Sequence, residues 1–253
     1  MWENALKSQD PWKPEPVSAR KRNKEAMSKT HTETLKCPQC GESIEFTLWE
    51  SLNTKLDPEQ AALFRSGGQF LVECPKCGAR HQVVHPILYH DMEHGMILQL
   101  LPGKTRDELL AEAGRLKEST KELLSAYENL PMPALRMTAD PYTVIEKAKL
   151  LVNGRDDRIV EIMKLLCLPS LIEQFKKQVV LYYDDSEGED VFAIIDPETG
   201  LVGTLPFMDE VYRMLEKEVD HLGDGPEGDA VVDVQWALAR MKTLQEIKKE
   251  SAS

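Results

Sequence analysis

The segment Cys37-Pro38-Gln39-Cys40-Gly41 recurs as Cys74-Pro75-Lys76-Cys77-Gly78. No other feature of the 253-residue chain restricts the fold as tightly. Two residues between cysteines let one tight turn aim both thiols at a single cation. Two such turns supply a tetrahedron of sulfurs at metal–sulfur distances of about 2.3 Å. Pro38 and Pro75 preset the first dihedral of each turn, and Gly41 and Gly78 permit a positive φ after its second cysteine. Backbone N–H groups can then point at the sulfurs, with Lys36, Lys76 and Arg80 nearby in sequence to offset their charge.

Cys37, Cys40, Cys74 and Cys77 are therefore the candidate metal ligands. Four thiolates leave no open coordination position, so the expected ion is structural, not catalytic. Zn²⁺ is the expected metal and iron its main competitor for an all-sulfur site. Doubling of the motif favours a metal over a thioredoxin-like redox pair. Metal binding of this kind contributes on the order of 10 kcal/mol to folding. The stretch between the pairs is longer than in a compact zinc ribbon, so a strand and a short helix are expected as an insertion.

Hydrophobic content of 42% and charged content of 29% are those of an ordinary soluble protein. No apolar run reaches the roughly 20 residues that span a bilayer. The N-terminal segment has no basic-then-apolar signal pattern. The expected location is the cytoplasm, where thiols stay reduced and free for metal. A formal charge of −12 argues against general nucleic-acid binding. Most of it lies in residues 104–253, which carry about −11.

The chain divides into four stretches by texture. Residues 1–34 are polar, contain Pro11, Pro14, Pro16 and the run Ala19–Lys24, and read as a disordered tail. Met27 would itself make a natural start, so the residues before it are a candidate upstream extension. Residues 35–103 form the ribbon domain, with strands at 43–49, 69–73, 80–88 and 95–101 and a short helix opened by Asp57-Pro58. Residues 104–177 read as helical: 105–129 with a Thr105/Glu108 capping box, then 141–152, 156–167 and 169–177. Residues 178–253 read as a small α+β domain, a three-stranded meander followed by helices at about 207–220 and 229–249. The fold class is α+β, with a zinc-ribbon-like antiparallel sheet first.

The two C-P-x-C motifs, followed by Pro86-Ile87-Leu88-Tyr89-His90-Asp91, resemble the CpXC family of prokaryotic proteins, whose hallmark is that pair before a P-L-L-Y-x-D-like segment. Glu50–Asn53 sits where such proteins have a small polar turn after the first strand, and Arg155–Glu161 is similar to a helical extension of some members. The resemblance covers about residues 35–103 and implies metal binding, without a substrate.

Other candidates have ordinary readings. His85, His90, Asp91 and His94 are close in sequence, but His85 and His90 differ by an odd number and face opposite ways on a strand. Surface and turn roles are expected for them. Tyr89 and Asp91 share a face and are the one place where an enzyme site is considered. Cys167, among leucines, reads as a buried inert thiol. Asp156, Asp157 and Arg158 read as helix-start charges, and the acidic stretch Asp184–Asp190 reads as a solvated hairpin tip rather than a Ca²⁺ loop. The expected function is a non-enzymatic, zinc-stabilised module that binds a protein partner. The alternatives are a nucleic-acid or RNA polymerase-associated ribbon, with a basic face of Lys36, Lys55, Arg65, Lys76 and Arg80, and an enzyme near Tyr89 and Asp91.

Overall fold

The computed structural model describes residues 28–124, 132–219 and 228–251. Strands β1 (Lys29–Lys36) and β2 (Ser43–Asn53) make an antiparallel hairpin. Residues 29–34, expected in a disordered tail, thus belong to a strand. Their sequence is polar but strictly alternating, with Thr30, Thr32 and Thr34 outward and His31, Glu33 and Leu35 partly covered. The basic run 19–24 and Met27 lie outside the described residues. Glu50–Asn53, expected as a turn, continues β2, and the turn follows it, where Asn53 Oδ1 accepts from Lys55 N and Leu56 N.

Strands β3 (Leu71–Glu73) and β4 (Arg80–Gln82) form a second, smaller hairpin. The single strand expected over 80–88 is divided: Pro86 lacks the N–H a ladder needs, and the chain leaves the hairpin to begin β5 (Ile87–Asp91). β5, β6 (Met96–Leu100) and β7 (Ala134–Thr138) complete a five-stranded sheet in the order β1-β2-β5-β6-β7. The pairs β2/β5 and β6/β7 are parallel, so this sheet is mixed where a wholly antiparallel one was expected. β7 lies within the stretch expected to be helical and carries the sheet past residue 103. Helix α2 (Arg106–Leu124) is the crossover that its parallel pairing with β6 requires.

The expected capping box opens α2: Thr105 N donates to Glu108 Oε2 (2.9 Å) and Glu108 N to Thr105 Oγ1 (3.4 Å). These backbone and hydroxyl donors and Lys104 hold the Glu108 carboxyl down at about 2. Helix α1 (Pro58–Arg65) starts at Pro58 as expected. With α3 (Pro141–Val152), it covers one face of the sheet through Phe64, Val144 and Ala148, packed on Leu52, Ile87, Tyr89 and Leu98. On the other face α2 packs Leu109 and Ala113 against Leu135 and Met137.

Strands β8 (Val180–Asp184), β9 (Val191–Asp196) and β10 (Gly200–Pro206) form the expected meander in the order β10-β9-β8. Helices α4 (Asp157–Phe175), α5 (Asp209–Val219) and α6 (Val234–Ser251) enclose its core, which contains Ile162, Met163, Tyr183, Phe192 and Trp236. α4 runs through Pro169, where a break between two helices was expected. Burial of Leu171 beyond the proline holds the continuation. No helix among the described residues is long and apolar enough to cross a membrane.

α3 stands between the two cores: Val144 and Ala148 enter the first and Leu150 the second. Enclosure on both sides also buries Glu146, Lys147 and Lys149. Buried charges need partners. Lys147 meets Asp157 (2.7 Å), itself held by Arg136 (2.8 Å). Glu146 meets Lys164 (3.0 Å), which also holds Glu161 (2.7 Å). Lys149 reaches Asp184 and Asp185 on the meander. Asp157 stands in the first turn of α4, as read from sequence, and is also the buried centre of this interface.

Candidate metal centre

Each hairpin ends in one cysteine turn, and the two turns are copies offset by 37 positions. In the first, Cys37 N donates to Glu42 O (2.8 Å) and Gly41 N to Cys37 O (2.8 Å); in the second, Cys74 N donates to Ala79 O (2.8 Å) and Gly78 N to Cys74 O (2.9 Å). The flanking pairs match as well, Lys36 opposite Ser43 and Glu73 opposite Arg80. Gly41 and Gly78 take φ of 73° and 70°, a conformation that a side chain disfavours.

The turns face each other. Cys37 Sγ lies 3.6 Å from Cys77 Sγ, and Cys40 Sγ 3.6 Å from Cys74 Sγ. All four sulfurs lie within 4.8 Å of one another. Four sulfurs bound tetrahedrally at about 2.3 Å would stand about 3.8 Å apart. The two 3.6 Å pairs match that spacing, and the cluster could hold a metal ion. Ile44, Val72 and Ala79 pack around it.

Backbone donors prepare the sulfurs unevenly. Burial opposes ionisation of Cys74, but N–H groups of Cys77 and Lys76 outweigh it and bring the thiol down to about 7. At Cys40 the Glu42 N–H favours the thiolate, yet desolvation and the three other sulfurs prevail and push it up to about 12. Despite the Ala79 N–H, Cys77 is also raised, by desolvation and the sulfurs of Cys74 and Cys37. Crowded sulfurs resist sharing negative charge until a cation joins them.

Three side chains brace the cluster. His81 Nε2 lies 3.2 Å from Cys37 Sγ, a hydrogen bond that sequence reasoning missed. The signal was the period of two in β4, which turns His81 inward as Arg80 turns out. Lys76 bridges the two turns through Glu42 (3.0 Å). Arg80 does not serve the sulfurs: it pairs across its own hairpin with Glu73 (3.1 Å).

The other candidates go to structural duty. Tyr89 is fully buried and its hydroxyl accepts from Arg65 Nη1 (3.1 Å). Asp91 is buried in its own turn, accepting from Glu93 N and His94 N (both 3.1 Å) and pairing with His94 (3.0 Å). His85 is not a surface residue: its ring nitrogens lie 3.2 Å from the carbonyls of Val83 and Trp49, and burial pushes its pKa down. Burial raises the half-buried Cys167 thiol. Asp156 caps α4 by accepting from Arg158 N (2.8 Å). The acidic loop is tied down, with Asp190 on Arg155 (3.0 Å) and Tyr183 (2.6 Å). Among the described residues, the four cysteines are the one group of three or more His, Cys, Asp or Glu side chains whose ligand atoms converge.

Comparison with known proteins agrees with this centre. Searches among curated proteins and among solved structures return no match. The family model described as CpXC protein matches residues 35–164, a span containing both cysteine turns and extending through β7 and α3 into α4. On that match and its paired cysteine turns, the chain belongs to the CpXC family.

Proposed function

We propose that Cys37, Cys40, Cys74 and Cys77 hold one structural Zn²⁺ ion, and that the stiffened ribbon is a non-enzymatic module that binds a protein partner. The convergence of four sulfurs within 4.8 Å carries the reading. A bound Zn²⁺ would neutralise charge and lock two hairpins that share little core. An all-sulfur shell leaves no position for substrate, and a reducing compartment such as the cytoplasm keeps the thiols available.

The binding surface lies beside the cluster. β2 pairs with β5 only at Ser51–Asn53, so residues 43–50 have no strand on that side among the described residues. A groove of about 420 Å³ runs there, lined by Phe46, Trp49, Leu63 and Leu71, with Leu63 and Leu71 43% and 51% exposed. Its charged lining residues are Glu45 and Glu73. An extended, apolar segment carrying a basic residue would add a strand to β2 and fill the groove. The basic face needed for nucleic acid is largely engaged: Arg65 on Tyr89, Lys76 on Glu42 and Arg80 on Glu73.

A photo-crosslinking residue placed at Phe46 tests this, with Leu201 on β10 as control. The expected result is one partner captured from Phe46, lost in Cys74→Ser and absent from Leu201. Equal capture from both positions, or capture that survives Cys74→Ser, would overturn the reading. So would a gel shift with RNA or DNA that is tight at low salt and falls steeply as salt rises.

A further inference from the structure

β6 and β7 set Met96 opposite Ala134 and Leu98 opposite Arg136. The period of two sends these four side chains to one face. Lys147 and Leu151, one turn apart on α3, and the first turn of α4 close over them. Together they line a cleft of about 630 Å³, within the usual size range of small-molecule sites. It is separate from the cysteine cluster and from the groove beside β2. Five Lys and Arg side chains and three Asp side chains line it, a net positive surface in a chain whose formal charge is −12.

Two of those cations are already used. Arg155 pairs with Asp190 (3.0 Å) and Asp209 (2.8 Å), and Arg158 with Asp156 (2.6 Å) and Asp229 (3.3 Å). At the floor, Arg136 and Lys147 are 7% and 3% exposed and share the single carboxylate of Asp157. Arg136 Nε donates to both Asp157 oxygens, and its Nη1 to the carbonyls of Leu135 (3.2 Å) and Asp229 (2.7 Å). Lys147 donates to Asp157 Oδ2 alone (2.7 Å). Arg136 Nη2 and two of the ammonium's three N–H groups therefore have no acceptor among the described residues. Glu146, next on α3, does not serve them: it is not in the cleft lining and is committed to Lys164 and Tyr183 N (2.7 Å). Two buried cations on one carboxylate leave positive charge and open donors facing the cleft.

We propose that this cleft binds a small organic monoanion, a carboxylate with an apolar tail. The head would accept from Arg136 Nη2 and Lys147 Nζ, and the tail would lie along Met96, Leu98 and Leu151. The three aspartates in the lining disfavour a dianion such as phosphate.

Amide NMR titration of the full chain with sodium hexanoate tests it, with hexanol and inorganic phosphate in parallel. Saturable shifts at 96–98, 134–136 and 154–157 from hexanoate alone are expected, with affinity at least tenfold weaker in Lys147→Met. Should that variant fail to fold, Ala134→Trp, at an exposed position on the cleft wall, keeps the test: it should fill the cleft and abolish the shifts. No saturation below about 10 mM, shifts unchanged by Ala134→Trp, or tighter binding of phosphate or hexanol would each overturn the proposal.

Discussion

Replacing Asp157 by Asn probes the interface between the two cores. The substitution preserves shape and removes one charge. It leaves Arg136 and Lys147 buried at 7% and 3% exposure with no carboxylate between them, where Asp157 stood 2.8 Å and 2.7 Å away. Breaking a buried pair from one side costs about 3–5 kcal/mol. For a chain of this size that is a fall in Tm of roughly 10 °C. Lys147→Met should cost much less, because Arg136 and Asp157 remain a neutral pair. In the double variant, cationic crowding at Arg136 is relieved, so the two costs should not add. Urea unfolding followed by Trp fluorescence at fixed metal concentration gives all three values. The pH dependence has a definite sign. Burial opposes the charge of Asp157, but Lys147 and Arg136 outweigh it and hold its carboxyl well below the usual range. Its stabilisation is thus complete above the unfolded value near 4 and is lost as pH falls toward the folded one. The gap between wild type and Asp157→Asn should close in acid. A larger loss from Lys147→Met than from Asp157→Asn, or a gap that widens in acid, would refute the reasoning.

Gly41→Ala and Gly78→Ala should each destabilise the ribbon by about 1–2 kcal/mol, because both positions need positive φ; retained Tm and metal affinity would count against the turn geometry. Chelation of the metal should release hydrogen-exchange protection at the amides of Cys37, Gly41, Cys74 and Gly78 while leaving those of Tyr183 and Ile194 slow. Uniform loss across both cores would show that the ribbon and the meander unfold together. Asp140→Ala removes the cap that accepts from Thr143 N and Oγ1 (both 2.7 Å) and should cost about 1–2 kcal/mol by thermal melt, with no change in metal content.

The cysteine turns were legible because everything they need is local: a proline to set one dihedral, a glycine for another, and sulfurs at fixed spacing. The α2 capping box and the meander were legible for the same reason. β1 was not, since Lys29–Lys36 buries little of its own and owes its order to β2. β7 was hidden because Leu135, Arg136 and Met137 are all buried, which removes the alternation that marks a half-exposed strand. Pro169 misplaced a boundary that tertiary packing overrides. The charged interface was the least visible. Glu146, Lys147 and Asp157 have the look of solvated helix charges until α3 is known to lie between two cores. Arg136 and Asp157 are 21 positions apart, and nothing in either neighbourhood announces the other.

X-ray absorption at the metal edge, on reduced protein as purified, interrogates the four-sulfur centre most directly. The expected spectrum shows one zinc per chain surrounded by four sulfurs at about 2.3 Å. A first shell containing oxygen or nitrogen, or material that folds with no stoichiometric metal, would contradict it.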